Sequence, residues 1–155
     1  MKLILNTIIL IFLTNACGFK IVNLSDLNNY YISSVETKGD KKANYIIKNN
    51  LLNSFRDENK IPLNLNLETK KVRDIKEKNI KNEITKYEVT IETLVIFEQT
   101  NTNEKKRIII SKSGEYGVNE QYSQTITNEK NLIKVLSNEV SEEILLKLAE
   151  ALDDL

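Results

Sequence analysis

Few residue types in this chain of 155 residues are equipped for chemistry. It has no His and no Trp, and Cys17 is its single Cys. Without His there is no imidazole acid or base and no His-containing metal site. One Cys cannot form an intramolecular disulfide, a redox pair or a thiolate zinc cluster. Carboxylates, one thiol and two short basic groups remain. Glu88 and Glu92 share a face of an expected strand, and paired-carboxylate hydrolysis wants two such groups about 5–9.5 Å apart. Lys86 shares that face, so the same alternation reads more simply as a wet sheet surface. Lys70-Lys71 with Arg73, and Lys105-Lys106-Arg107, lie near expected strand ends. Either group could hold a phosphate by charge-assisted hydrogen bonds, or be a solvated turn. With 22 Lys+Arg against 22 Asp+Glu there is no global basic field, and nucleic acid is not an expected partner. No Walker A loop, GxGxxG or zinc spacing is present, and no cofactor is expected.

The positioning elements begin with a segment that is not a fold element. Lys2 precedes an apolar run from Leu3 to Leu13, broken only by Asn6 and Thr7. At ~1.5 Å per residue the run spans roughly 16 Å, against a hydrocarbon core of about 30 Å. That is short for a membrane-spanning helix and suits a secretory signal. Leu13-Thr14-Asn15-Ala16-Cys17-Gly18 follows and resembles a bacterial lipobox, with cleavage before Cys17 and diacylglycerol on its thiol. Thr14 and Asn15 depart from the usual pattern, which prefers an aliphatic residue where Thr14 stands. The alternative is an ordinary signal cut after Ala16, leaving a free thiol in an oxidising compartment. Acyl chains contribute about 0.8 kcal/mol per buried CH₂, so several of them anchor a protein without spanning. Residues 1–16 are therefore expected as signal peptide, 17–29 as lipidated tether and 30–155 as one α+β domain. By resemblance to enterobacterial lipoproteins, in which Asp at this place signals inner-membrane retention, Gly18 implies sorting to the outer membrane.

Tyr30 to Glu36 reads as a strand. Gly39 forms a turn and Asp40 an N-cap. Ala43, Ile47, Leu51 and Phe55 then recur every four residues in an amphipathic helix over Lys41 to Asn59. After Pro62, Leu63, Leu65 and Leu67 alternate with polar residues in a half-buried strand. The alternation fails at Lys70-Lys71-Val72-Arg73, where a bulge, bend or strand end is expected. The charged stretch Asp74 to Glu83 reads as a long mobile loop or extended hairpin. Thr85 to Phe97 is the clearest strand, with Leu94 and Ile96 making its second face apolar near the end. A hairpin through Asn101–Glu104 returns along Lys105 to Ile110, and Gly114 and Gly117 mark a twist or bulge. Beyond Thr125 a helix runs to the end, with Asn128 as N-cap and Leu132, Leu136, Val140, Ile144, Leu148 and Leu152 on one stripe. The order β-α-β-β-β-α predicts a two-layer sandwich, a four-stranded mixed sheet with two helices on one face.

Taken in order, these pieces resemble the LptE family of LPS-assembly lipoproteins of the Gram-negative outer membrane. Cys17-Gly18-Phe19-Lys20 is similar to the family's mature start, although Ile21 stands where Pro is common. Ile84-Thr85-Lys86-Tyr87-Glu88-Val89-Thr90-Ile91 is similar to its central strand. Gly114-Glu115-Tyr116-Gly117-Val118-Asn119-Glu120-Gln121-Tyr122 is similar to its Ser-Tyr-Asn-Val-x-x-Ser-x-Tyr region, with Tyr116, Val118 and Tyr122 in matching places. The closing helix is poorer in Ala than the family's.

The resemblance implies a non-catalytic protein, lipid-anchored at Cys17 on the periplasmic side of the outer membrane. It implies an LptD-type β-barrel as partner, whose lumen the chain would plug, and lipopolysaccharide as ligand. Lys70, Lys71, Arg73, Lys105, Lys106 and Arg107 are then candidates for the lipid phosphates. Tyr116 and Tyr122 are either barrel-wall contacts or aromatic packing at the sheet–helix junction. The rival reading is another envelope lipoprotein acting as scaffold or binding module.

Overall fold

Leu63, Leu65, Leu67 and Thr69 are buried while the residues between them are not, so one face of this strand is covered. A computed structural model of the chain describes Leu27 and residues 29–55, 60–99 and 104–153. The expected signal peptide, and the tether apart from Leu27 and Asn29, lie outside the described residues. Strands β1 (Tyr30–Gly39), β2 (Ile61–Lys78), β3 (Ile84–Gln99) and β4 (Lys105–Gly117) form one sheet in sequential order. β1 runs parallel to β2, and the other neighbours are antiparallel, so the sheet is mixed as expected. Helix α1 (Lys41–Ser54) connects the parallel pair, and helix α2 (Tyr122–Asp153) closes the chain.

The register sets Leu65 against Phe97, Leu67 against Val95 and Val95 against Ile108, which places their side chains on one face. That face meets both helices: α1 on β1 and β2, α2 on β3 and β4, and each helix on the other. Leu63, Leu67, Val89, Ile91, Val95, Ile47, Leu51, Val140, Ile144 and Leu148 are fully buried in the shared core. Each large aliphatic contributes about 1.5–3 kcal/mol by its removal from water. Between the helices, buried Ser137 and Ser141 bond back to the carbonyls of Ile133 and Ser137, both at 2.7 Å. Asn50 Nδ2 donates to Asn138 Oδ1 (3.0 Å) and Ser141 Oγ (3.2 Å), fixing α1 on α2.

The turn from β1 into α1 follows from two residues. Gly39 has φ +97°, and a Cβ there would stand 2.0 Å from the Thr69 carbonyl oxygen. Only glycine meets both demands. Asp40 then accepts from the amides of Lys42 (3.1 Å) and Ala43 (2.9 Å) as the N-cap, and its own N–H donates to Thr69 O at 2.8 Å.

Four expectations are corrected in detail. β2 does not break at Lys70–Arg73 but holds register to Ile75, with irregularities between Ile75 and Lys78. Of the two alternatives for the charged stretch the structure has the expected one, an extended hairpin, closed by a turn at residues 79–83. There Asn79 Oδ1 accepts from the amides of Lys81 (2.9 Å) and Glu83 (3.0 Å). Asn82 takes the left-handed conformation, φ 63°, that Asn tolerates. β4 passes through Gly114 without a bulge; this glycine lies under Leu132, whose Cδ1 would be 2.8 Å from an added Cβ. α1 ends at Ser54 rather than Asn59, and α2 starts at Tyr122, which leaves Asn128 inside the helix and not at its N-cap.

Candidate functional site

The sheet has one helix-covered face and one without a helix, and strand alternation distributes the basic residues between them. Lys70 projects from the open face opposite Glu92. Lys71, one residue on, faces the helix side and pairs with Asp40 at 3.7 Å. Arg73 shares that side, with its guanidinium 4.8 Å from the Tyr87 ring centroid and 3.5 Å from Glu129 on α2. Lys70, Lys71 and Arg73 therefore do not form one patch.

Lys105, Lys106 and Arg107 are split the same way. Lys105 pairs with Glu98 at 3.2 Å. Lys106 turns to the helix side and donates to the Ala151 carbonyl (2.7 Å), satisfying an orphan acceptor in the last turn of α2. Arg107 stands on the open face, opposite Ile96. Among the described residues it has no ion pair. It lines a shallow concavity of about 510 Å³ with Ser34, Glu36, Asn64, Asn66 and Ile96. Asn64 is oriented there by the hydroxyls of Ser33 (2.7 Å) and Ser34 (2.8 Å), which both donate to its Oδ1. The β2 partners of the two basic groups are about six residues apart, roughly 20 Å along the strand.

Tyr116 is buried, stacked on Tyr87 with centroids 5.6 Å apart. Among the described residues its enclosed hydroxyl makes no hydrogen bond of good geometry, although the Arg73 guanidinium approaches it. Burial raises its pKa, with the nearby Arg73 guanidinium opposing the shift. Tyr122 is 77% exposed at the first position of α2. The two tyrosines thus stand in opposite environments.

Glu88 and Glu92 lie four residues apart on β3, about 13 Å at ~3.3 Å per residue. That exceeds the ~5–9.5 Å of paired catalytic carboxylates, so the expected spacing is not met. Glu88 instead belongs to a network that the sequence did not reveal. Lys76 bonds Glu88 (3.0 Å) and Glu115 (3.5 Å), and Lys86 bonds Glu77 (3.2 Å) and Glu115 (3.4 Å). The pKa of Lys76 is raised chiefly by its bond to Glu88, and that of Lys86 chiefly by Glu77. Neighbours on three strands supply these contacts, and no linear spacing encodes them.

Among the described residues no cluster of three His, Cys, Asp or Glu could hold a metal ion. No helix among them is long and apolar enough to cross a membrane. Cys17 lies outside the described residues. Ile80 at the hairpin turn is fully exposed, and Ile75 and Val72 behind it are about half exposed.

No family model and no curated protein matches the sequence. Solved structures do match the fold. Rare lipoprotein B from Shewanella oneidensis aligns over 77% of this chain and 96% of its own, with TM-score 0.59 and 14% identity. A protein named as a lipoprotein from Caulobacter crescentus covers 84% of this chain and 95% of its own, with TM-score 0.59 and 16% identity. Lipoprotein B from Nitrosomonas europaea covers 85% and 90%, with TM-score 0.53 and 10% identity. The chain is similar to these three proteins in fold.

Proposed function

We propose that the chain is an envelope lipoprotein of the LptE type, anchored through Cys17 at the periplasmic side of the outer membrane. In this reading it assists lipopolysaccharide assembly as the partner of an LptD-type barrel. The observation that carries the reading is a coincidence of two independent signals. A Cys stands directly behind an apolar leader of signal length, and the folded part resembles structures named as lipoproteins.

The distribution of charge suits such a role. The open face presents Asn64, Asn66, Glu68, Lys70 and Glu92, a surface that tolerates the polar interior of a barrel. Of the six basic candidates, Lys71, Arg73 and Lys105 have carboxylate partners and Lys106 holds a helix carbonyl. Lys70 and Arg107 have no ion pair among the described residues and are the better placed for an anionic headgroup. The end that follows the tether, Tyr30 beside Ile61, is remote from the hairpin turn. β2 alone spans roughly 55 Å at ~3.3 Å per residue, so an anchored chain would extend its hairpin away from the lipid.

Crosslinked pull-down from native membranes with mass spectrometry tests both parts. The expected result is a diacylated Cys17 peptide and a barrel of the LptD type. An unmodified Cys17 peptide and no barrel would overturn the reading. A modified peptide with different partners would leave the anchor and replace the assembly role.

A further inference from the structure

β1 stops at Gly39, opposite Thr69, while β2 continues to Lys78. Among the described residues, β2 is paired from Lys70 onward on its β3 side only. Its other edge continues the β1 track without a described strand. The direction of each backbone group on that edge follows from two contacts. Thr69 O accepts from Asp40 N and so points toward β1. Thr69 and Thr93 are opposite each other with their hydroxyls 3.0 Å apart, the close approach of a non-hydrogen-bonded antiparallel pair. Alternation then turns the N–H and C=O of Lys71, Arg73 and Ile75 outward. Among the described residues these groups have no partner.

We propose that this edge is a strand-addition site for an extended acidic segment of a partner protein. An unpaired strand edge is a template for another chain. Between Lys70 and Lys78 the strand carries Lys70, Lys71, Arg73, Lys76 and Lys78 against Asp74 and Glu77. Lys71, Arg73 and Lys76 have carboxylate partners on other elements, so Lys70 and Lys78 are the cations without an ion pair among the described residues. Val72 and Ile75, 49% and 51% exposed, supply an apolar contact on each face. A second copy of this chain fits less well in the symmetric register that pairs the most outward groups. Antiparallel self-pairing centred on Arg73 would set Arg73 against Arg73 and Lys70 against Lys76, and like charges directly opposite are destabilising. A segment alternating Glu or Asp with Val or Ile satisfies both the charge and the pleat.

The test uses the full chain in detergent and a capped heptapeptide alternating Val and Glu. Its controls are the Val–Lys counterpart and a Val–Glu peptide N-methylated along one edge. Amide exchange by NMR should show protection at Lys71, Arg73 and Ile75 with the acidic peptide. Binding should weaken with salt, fall at least about tenfold on N-methylation, and weaken in Lys70→Glu. Ile75→Pro removes one outward donor without touching the β3 ladder and should weaken binding too. If that variant fails to fold, the N-methylated peptide still decides the matter. Absence of protection at these amides at millimolar peptide would overturn the proposal, as would equal binding of the N-methylated peptide. So would protection at Ile109 and Ser111 on the β4 edge instead.

Discussion

Arg73 lies with its guanidinium 4.8 Å from the ring centroid of Tyr87, across the β2–β3 ladder. Tyr87 in turn stacks on Tyr116 of β4, and Glu129 reaches Arg73 from α2. One cation thereby joins three strands and a helix where the hairpin leaves the body. A residue bound in this way is a structural tie before it is a ligand contact.

Arg73→Ala should therefore destabilise the fold by about 1 kcal/mol. A half-exposed ion pair contributes about 0–1 kcal/mol, and an exposed cation–π contact about 0.5–1 kcal/mol. Arg73→Lys retains the charge but loses the planar stacking, so it should fall between the two. Denaturant unfolding of both variants checks this. An unchanged midpoint for the alanine variant would free Arg73 for another role.

Gly39→Ala should cost more, roughly 1–3 kcal/mol from the left-handed φ alone. The clash with the Thr69 carbonyl adds to that. Asp40→Ala removes the N-cap and should cost about 1 kcal/mol. Thermal melts rank the two, and the glycine variant should be the worse.

Tyr116 and three lysines should contribute to a loss of stability at alkaline pH. The folded pKa of Tyr116 is raised by burial. Those of Lys76, Lys86 and Lys112 are raised chiefly by Glu88, Glu77 and Glu143 respectively. For each group the folded state holds its proton more tightly. The contribution is fully present below the unfolded pKa, about 10 for Tyr and 10.4 for Lys, and is lost as pH rises through the folded value. Denaturation midpoints should fall from about pH 10 upward. Tyr116→Phe deletes a buried hydroxyl that makes no hydrogen bond of good geometry among the described residues; it should be near neutral in stability at pH 7 and should flatten the alkaline loss. A steeper loss in that variant would contradict the assignment.

The legible parts of this fold are those where burial imposes a period. Ala43, Ile47 and Leu51 on α1, and Leu63, Leu65 and Leu67 on β2, are all buried as their spacing predicts. Asp40 caps α1 as its type suggests. The distal half of β2 was illegible because residues 71–78 are exposed on both faces, so no selection for apolar alternation acts on them. The start of α2 was hidden for a similar reason. Thr125 is buried there, but its hydroxyl accepts from Asn119 N at 2.9 Å, and the polar residues around it read as loop. The basic groups were visible as sequence, yet their division between two faces is a consequence of strand alternation through positions expected to be a bend.

The buried hydroxyl pair Thr69–Thr93 offers a test of how the sheet centre is held. The two oxygens are 3.0 Å apart, and both residues are fully buried between apolar neighbours. Thr69→Val leaves the Thr93 hydroxyl without a cross-strand partner in a dry site, at a cost of about 1–3 kcal/mol. Thr93→Val should cost a similar amount. The double variant removes both polar groups while keeping β-branched shape, so it should recover most of that loss rather than add to it. A double-mutant cycle by denaturant unfolding measures the coupling directly. Simple additivity of the two losses would mean that each hydroxyl bonds elsewhere, and that the pair is a contact of position only.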